Sequence, residues 1–189
     1  MADIIYGSNA VSEALRAQGR VNRLYFAKDA KIRHKQTLVD LARAQKIPYD
    51  FVPLAKLNSL AGSREHQGVV AAISPVAYAE LDAVLAACPA QATILALDGV
   101  QHSRNVGMLI RTAVGAGATA VVLTSKGGAL LDESVSRASA GTIFHIPIIA
   151  PRKLPDALRR MKEAGFWIYG MDASGKDSVF GVSWAKRTV

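Results

Sequence analysis

From residue 93 onwards, short runs of β-forming residues alternate with amphipathic helical stretches, and this alternation restricts the fold more than any other feature. Strands are expected at 93–97, 120–123, 143–148 and 167–171, helices at 106–116, 134–140 and 154–164, and Thr188-Val189 has the form of a further strand opening. Strand, helix and strand in succession make a parallel sheet with helices on its faces. Residues 1–75 read as a smaller α/β unit. A helix capped by Ser8 or Asn9 runs through Ala17, with Gly19 just past its end. Strand 21–27, helix 37–45 (Leu38, Leu41 and Ala42 inward), strand 49–52, helix 54–61 and the all-apolar strand 69–73 follow. The stretch 76–92, helical in composition at 79–87 and punctuated by Pro89, joins the two. The expectation is an α/β protein with domains at 1–75 and 93–189 and a linker at 76–92.

Half of the 189 residues are hydrophobic and 20% are charged, enough to build a core and far from a disordered composition. No apolar run approaches a membrane span, and the N-terminus lacks the basic-then-apolar form of a secretory signal. The single cysteine, Cys88, excludes an intrachain disulfide and favours a reducing compartment; a cytoplasmic location is expected, without membrane attachment. The four histidines and Cys88 have no metal-ligand spacing, so no metal is expected. The net charge of +8 points to a polyanionic partner. Residues 1–75 hold 11 Lys/Arg against 6 Asp/Glu, so the smaller part carries more of the excess. Arg20, Arg23, Lys28, Lys31, Arg33 and Lys35 stand there against Asp29 alone, interleaved with Tyr25 and Phe26. Cations so placed hold phosphates, and aromatics among them can stack bases; the ordinary alternative is a solvated basic loop over a strand whose aromatics are core.

The most informative string is Leu97-Asp98-Gly99-Val100-Gln101-His102-Ser103-Arg104-Asn105-Val106-Gly107-Met108-Leu109-Ile110-Arg111-Thr112-Ala113. A strand ends, a polar loop follows, and a helix opens with Asn105 at its cap and Arg111 nearly two turns in. Met108, Leu109, Ala113 and Ala116 are expected to face the sheet. The spacing is neither a dinucleotide fingerprint nor a Walker loop. Taken singly, Asn105 is a common helix starter and Arg111 a solvated cation. A second string, Asp132-Glu133-Ser134-Val135-Ser136-Arg137-Ala138-Ser139-Ala140-Gly141, reads as a capped helix closed by glycine, with Pro147 after it. Further on, Asp172-Ala173-Ser174-Gly175 forms a polar loop after the expected strand 167–171, at the ligand edge of such sheets.

These strings together resemble the SpoU/TrmH family (SPOUT class) of RNA ribose 2′-O-methyltransferases, including the members that modify guanosine in 23S rRNA. Tyr6-Gly7-Ser8-Asn9-Ala10-Val11-Ser12-Glu13-Ala14-Leu15 and Glu65-His66-Gln67-Gly68-Val69-Val70-Ala71 are similar to the family's accessory substrate-binding domain. His102-Ser103 stands where members usually carry Asp-Pro. The resemblance spans residues 3–189. It implies a homodimeric enzyme that uses S-adenosyl-L-methionine on RNA, ribosomal rather than transfer RNA. Arg111 would position the ribose hydroxyl and its phosphate and stabilise developing alkoxide charge, with Asn105 orienting it. Arg104 joins the basic residues as an RNA contact, and Met171, Asp172 and Ala173 are candidates for the cofactor edge. The family pattern continues with a Gly-(Ser/Asn)-Glu-Gly loop and a Ser-Leu-Asn-Val-Ser segment that form a trefoil knot, and neither occurs in this sequence. A parallel-sheet domain truncated before its knot is therefore expected, with weak or absent cofactor binding by these residues alone.

Two rival readings stay open on sequence. A non-catalytic RNA-binding protein would keep the scaffold and the basic surface. A small-molecule enzyme on a nucleotide-binding sheet would be indifferent to RNA.

Overall fold

The computed structural model describes residues 3–17, 21–28, 30–74, 76–124 and 131–189. They form an α/β protein of two compact units. The first takes residues from 1–77, 102–111 and 130–145, the second from 78–101, 112–129 and 146–189.

In the first unit, β1 (Asp3–Tyr6), α1 (Ser8–Arg16), β2 (Val21–Ala27), α2 (Lys35–Ala44), β3 (Tyr49–Val52), α3 (Leu54–Ala61) and β4 (Val69–Ile73) succeed one another. The sheet order is β1-β4-β2-β3, with β4 antiparallel to both neighbours and β2 parallel to β3. On one face Tyr6, Ala27, Val52 and Val70 pack with Leu57 and Ala61 of α3. Strand residues of the opposite parity, Leu24, Phe26 and Ala71, are fully buried, as are Val11, Ala14 and Leu15 of α1 and Leu38 and Ala42 of α2. Apolar residues at consecutive positions, as in Phe26-Ala27 and Val69-Val70-Ala71, thus fill both faces of this small sheet. Neither Ser8 nor Asn9 caps α1. The helix starts at Ser8 after Gly7, whose φ of 93° gives the turn out of β1, and the Gln67 side-chain oxygen accepts the Ser8 N–H at 3.1 Å. Gly19 lies outside the described residues.

In the second unit, β5 (Ala92–Leu97), β6 (Ala120–Leu123), β7 (Ile148–Ile149) and β8 (Arg187–Thr188) form an all-parallel sheet in the order β7-β6-β5-β8. Helices α4 (Leu81–Ala87) and α7 (Leu154–Glu163) flank it. Leu81 and Val84 of α4 and Ala157 and Met161 of α7 share a core with Ile94, Val122, Ile149 and Phe166. The chain runs outward from β5 to β7, then returns to lay β8 against the other side of β5. That reversal makes β5 a topological switch point, where parallel sheets open a crevice.

Two expected strands are shorter than the sequence pattern. At 143–148, Thr142–His145 form a 3₁₀ turn and only Ile148–Ile149 extend. Gly141 in the left-handed region (φ 83°) and the Thr142 hydroxyl, which donates to the Ser139 carbonyl at 2.8 Å, hold the turn against the β preference of Ile143 and Phe144. At 167–171, Trp167 bridges Thr188 and the Tyr169 N–H donates to the Val189 carbonyl at 2.8 Å, but no regular strand forms. Among the described residues no helix is long and apolar enough to cross a membrane.

Candidate active site

The helix carrying the first signature, α5 (Ser103–Gly115), begins earlier than the sequence suggests. Its first helical hydrogen bond runs from the Val106 N–H to the His102 carbonyl (3.1 Å), so Asn105 is the third helical residue and not the cap. The Ser103 hydroxyl donates to Asp132 Oδ2 at 2.9 Å, which favours the earlier start. The helix phase also differs. Val106, Ile110 and Ala113 (i, i+4, i+7) are buried, whereas Met108 and Leu109 are exposed, and Ala116, just past the helix end, is exposed too. Arg104, Asn105 and Arg111 lie on the exposed side, and the side chain of none has a hydrogen bond or ion pair among the described residues. A guanidinium and a carboxamide held on a helix, without a side-chain partner among the described residues, are able to meet a phosphate, a hydroxyl or a base.

The second signature is the floor beneath the first. Asp132 caps α6 (Glu133–Ala138), its Oδ1 accepting the Val135 N–H at 2.9 Å, while its other oxygen holds Ser103. One carboxylate thus ties together the starts of two helices. A methyl group on Gly107 would sit 2.6 Å from Ala138 Cβ and 2.7 Å from the Val135 carbonyl, so only glycine lets α5 and α6 come this close. The helix is fastened to the small sheet in turn. Arg137 donates to the Tyr6 hydroxyl and its guanidinium lies over the Tyr6 ring, 5.1 Å from the centroid. Gly141 meets Glu13 and Ala10 of α1, and Glu13 receives Arg16 (2.8 Å) and His145 (2.9 Å). Arg137 and Ser139, the latter donating to the Ser136 carbonyl at 2.9 Å, therefore position the helix bearing Asn105 and Arg111.

The expected RNA-contact residues divide. Arg20 lies outside the described residues. Arg23 is paired with Asp50 at 2.7 Å. Lys28, Lys31 and Arg33 are exposed, and Lys35 sits over an aromatic ring, that of Phe51 (4.7 Å to the centroid). Phe26 is fully buried and Tyr25 packs on the α3 face, so neither offers a free ring. Phe51, 41% exposed, does, and the sequence reading missed it. Its signal was the alternation of β3, in which Tyr49 and Phe51 share one face at the sheet edge.

His66 is buried in the turn before β4. Its Nδ1 accepts the Gly68 N–H at 3.0 Å, which leaves the proton on Nε2, donated to Asn58 Oδ1 at 2.7 Å. Burial pushes its pKa below the ordinary imidazole value. It braces a turn as the neutral tautomer.

The second unit holds a cavity of about 940 Å³ along the crevice side of β5, lined among others by Thr93, Asp98, Leu158, Tyr169, Met171 and Trp184. A second cavity of about 480 Å³ is lined by Met171, Asp172 and Ala173 together with Lys176 and Trp184. The Ser174 N–H and hydroxyl both donate to Asp172, holding its carboxyl below the usual carboxylate range. Met171 lies on both cavities; Asp172 and Ala173 lie on the smaller. Asp98 belongs to the first signature string but was given no role from sequence; Thr93, Tyr169 and Trp184 carried no motif and were not singled out. Among the described residues no group of three His, Cys, Asp or Glu side chains could hold a metal ion.

The fold is that of a two-part α/β protein with Asn105 and Arg111 on an exposed helix face. Residues 4–79 match the RNA 2′-O ribose methyltransferase substrate-binding family, and residues 92–189 match the SpoU rRNA methylase family. The chain belongs to the SpoU/TrmH family of RNA methyltransferases. It is 35% identical over 178 residues to YacO of Bacillus subtilis, by name a TrmH-family tRNA/rRNA methyltransferase, covering 93% of this chain and 71% of that one. A Staphylococcus saprophyticus relative of the same description is 34% identical over 90% of this chain and 69% of its own. Among solved structures, the AdoMet-bound rRNA methyltransferase of Sinorhizobium meliloti superposes with a TM-score of 0.77 at 22% identity, over 99% of this chain and 68% of that one. AviRb of Streptomyces viridochromogenes, a SpoU methyltransferase in complex with AdoMet, gives 0.76 at 20% identity, over 98% and 70%. These likenesses carry the fold.

Proposed function

We propose that this RNA methyltransferase transfers the methyl group of S-adenosyl-L-methionine to a ribose 2′-hydroxyl, with ribosomal RNA as substrate and Arg111 and Asn105 as the residues acting on the nucleotide. The observation that carries the reading is the pair of exposed side chains on α5 that have no partner among the described residues, on a helix supported by Asp132, Ala138 and Arg137. A surface with no function does not need such support.

The cavity along β5 fits the cofactor. Its volume lies within the range of small-molecule sites, and Leu158, Tyr169, Met171 and Trp184 give apolar and aromatic wall. Asp98, Thr93 and Lys186 supply the few polar groups that a nucleoside and an amino-acid tail require. Bound there, the cofactor would supply an electrophilic methyl on a sulfonium. The chain's own contribution is positional and electrostatic. The 2′-hydroxyl is a poor nucleophile because its proton leaves far above neutral pH. Arg111 remains charged throughout and can bridge the neighbouring phosphate and the oxygen on which negative charge develops. Asn105 offers both a donor and an acceptor for the sugar or the base.

The test is methyl transfer from labelled S-adenosyl-L-methionine to ribosomal RNA and, separately, to transfer RNA. Arg111→Ala is expected to lower the rate by about 10²–10³, the usual cost of losing one oxyanion donor, and Arg111→Lys to recover only part of it. An Arg111→Ala protein as active as the parent would overturn the assignment. A parent protein that binds ribosomal RNA and methylates none of it would favour the binding-only reading.

A further inference from the structure

The basic connection from β2 to α2 and the exposed edge of β3 form one surface. Phe26 and Ala27 stand in register with Phe51 and Val52, and the Lys28 N–H donates to the Val52 carbonyl at 3.0 Å. The connection therefore leaves the sheet beside the end of β3, carrying exposed Lys28, Lys31 and Arg33. Two of its residues pack against the turn before β4. Ile32 and Ala30 lie so close to Gly68 that a Cβ there would meet Ile32 at 2.7 Å, and His34 takes a left-handed φ of 57° as the chain turns into α2. Asp29, the one carboxylate within the connection, lies outside the described residues; of the next ones in sequence, Asp40 is engaged by Gln36 at 2.9 Å and Asp50 by Arg23 at 2.7 Å.

Phe51 stands at this edge with its ring 41% exposed. It is wedged against buried Phe26 (centroids 5.6 Å, interplanar 30°) and Tyr49 (5.9 Å, 87°), and Arg43 fixes the Tyr49 hydroxyl at 3.1 Å. Its only other ring partner among the described residues is the Lys35 ammonium. An oriented aromatic ring at the rim of a cation cluster is the arrangement that single-stranded nucleic acids use, with phosphates on the cations and a base on the ring.

We infer that Phe51 is a nucleobase-stacking platform for an unpaired nucleotide of the RNA substrate, with Lys35 as its gate. The half-buried Lys35 ammonium, a single cation on a phenyl ring, gains about 0.5–2 kcal/mol there, against about 1–3 kcal/mol for a base stacked on it. An incoming base therefore displaces Lys35, and the released ammonium turns to the adjacent phosphate. This assignment rests on the RNA-substrate reading above and adds that the contacted nucleotide is unstacked, as in a loop or bulge.

The test measures binding of the full chain to a short fluorescein-labelled single-stranded RNA and to its duplex, by anisotropy over a salt series. Phe51→Leu keeps the apolar contact with Phe26 and removes the stacking ring. It is expected to weaken single-strand binding by about tenfold, with little change for duplex. Lys35→Met is expected to flatten the slope of log K against log salt by about 0.7, one phosphate contact. Phe51→Trp, which retains the platform, is expected to show emission quenched by the RNA. Equal single-strand affinity for parent and Phe51→Leu would overturn the inference and leave the RNA reading standing. Absence of quenching in Phe51→Trp would do the same, and decides the matter if Phe51→Leu loses its circular dichroism. A parent chain that binds neither RNA would overturn the RNA reading and this inference with it.

Discussion

Gly107 of α5 lies so close to Ala138 of α6 that a methyl group added to the glycine would stand 2.6 Å from the alanine Cβ. In an isolated helix, Gly→Ala stabilises by about 1 kcal/mol. Here the added carbon also meets the Val135 carbonyl and the Ser139 nitrogen, which are backbone and cannot swing away. Overpacking of this kind costs about 1–3 kcal/mol, so Gly107→Ala is expected to be destabilising by about 1–2 kcal/mol. Urea denaturation checks the sign. Adding Ala138→Gly should restore only part of the loss, since the backbone contacts remain.

The role proposed for Asn105 and the structural role of Asp132 can be told apart. Asn105 does not cap α5, so Asn105→Ala should leave the thermal midpoint nearly unchanged while lowering methyl transfer. Asp132→Ala removes the α6 cap and the Ser103 partner and should cost about 1–2 kcal/mol. Differential scanning calorimetry of the two variants distinguishes these roles; a large fall in midpoint for Asn105→Ala would return it to a capping role.

His66 makes stability depend on pH. Burial lowers its pKa in the folded chain, and its Nδ1 must stay unprotonated to accept the Gly68 N–H. The unfolded chain therefore binds a proton that the folded one does not, between the ordinary imidazole value and the lowered one. Its stabilising contribution is complete above about pH 6.5 and falls away as pH drops through that window. Midpoints measured between about pH 8 and about pH 5 should decline, and the decline should be shallower in His66→Gln.

Trp184 tests the cofactor cavity. It lines that cavity beside Tyr169, with ring centroids 4.8 Å apart, and is 42% exposed, so its removal should spare the core. Trp184→Ala is expected to lower affinity for S-adenosyl-L-methionine by about tenfold in calorimetric titration, the worth of one aromatic contact. Unchanged affinity would place the cofactor elsewhere. The titration of the parent chain also measures the weak binding expected from its sequence.

The periodic elements were legible because each buries a stripe. Helices α2, α3 and α7 and strands β2 through β6 fall within a few residues of where the pattern put them. Failures occurred where a tertiary partner overrode local preference. Ser103 bonds to Asp132 and draws the start of α5 back three residues, taking Asn105 off the cap. Gly141 and Thr142 bend an apolar run into a turn that reads as strand. For the site, the strings around Asn105 and Arg111 were visible as motifs, but the reason for Gly107 was not, since its neighbour lies some 30 residues on. Phe51 was hidden differently. Alternation marks which strand face is apolar, yet cannot tell a covered position from one at an open edge.

The grip of Arg137 on Tyr6 has a practical consequence for anyone dissecting this chain. The first strand is the seat on which the signature helices rest, so a cut at the apparent linker would not release two self-sufficient halves. A piece starting near residue 92 would lack β1 and α1, against which α6 and the turn at Ile143 lie in this chain, and would be expected to clump rather than fold. Dissection of binding from chemistry is better pursued by point substitution than by scissors.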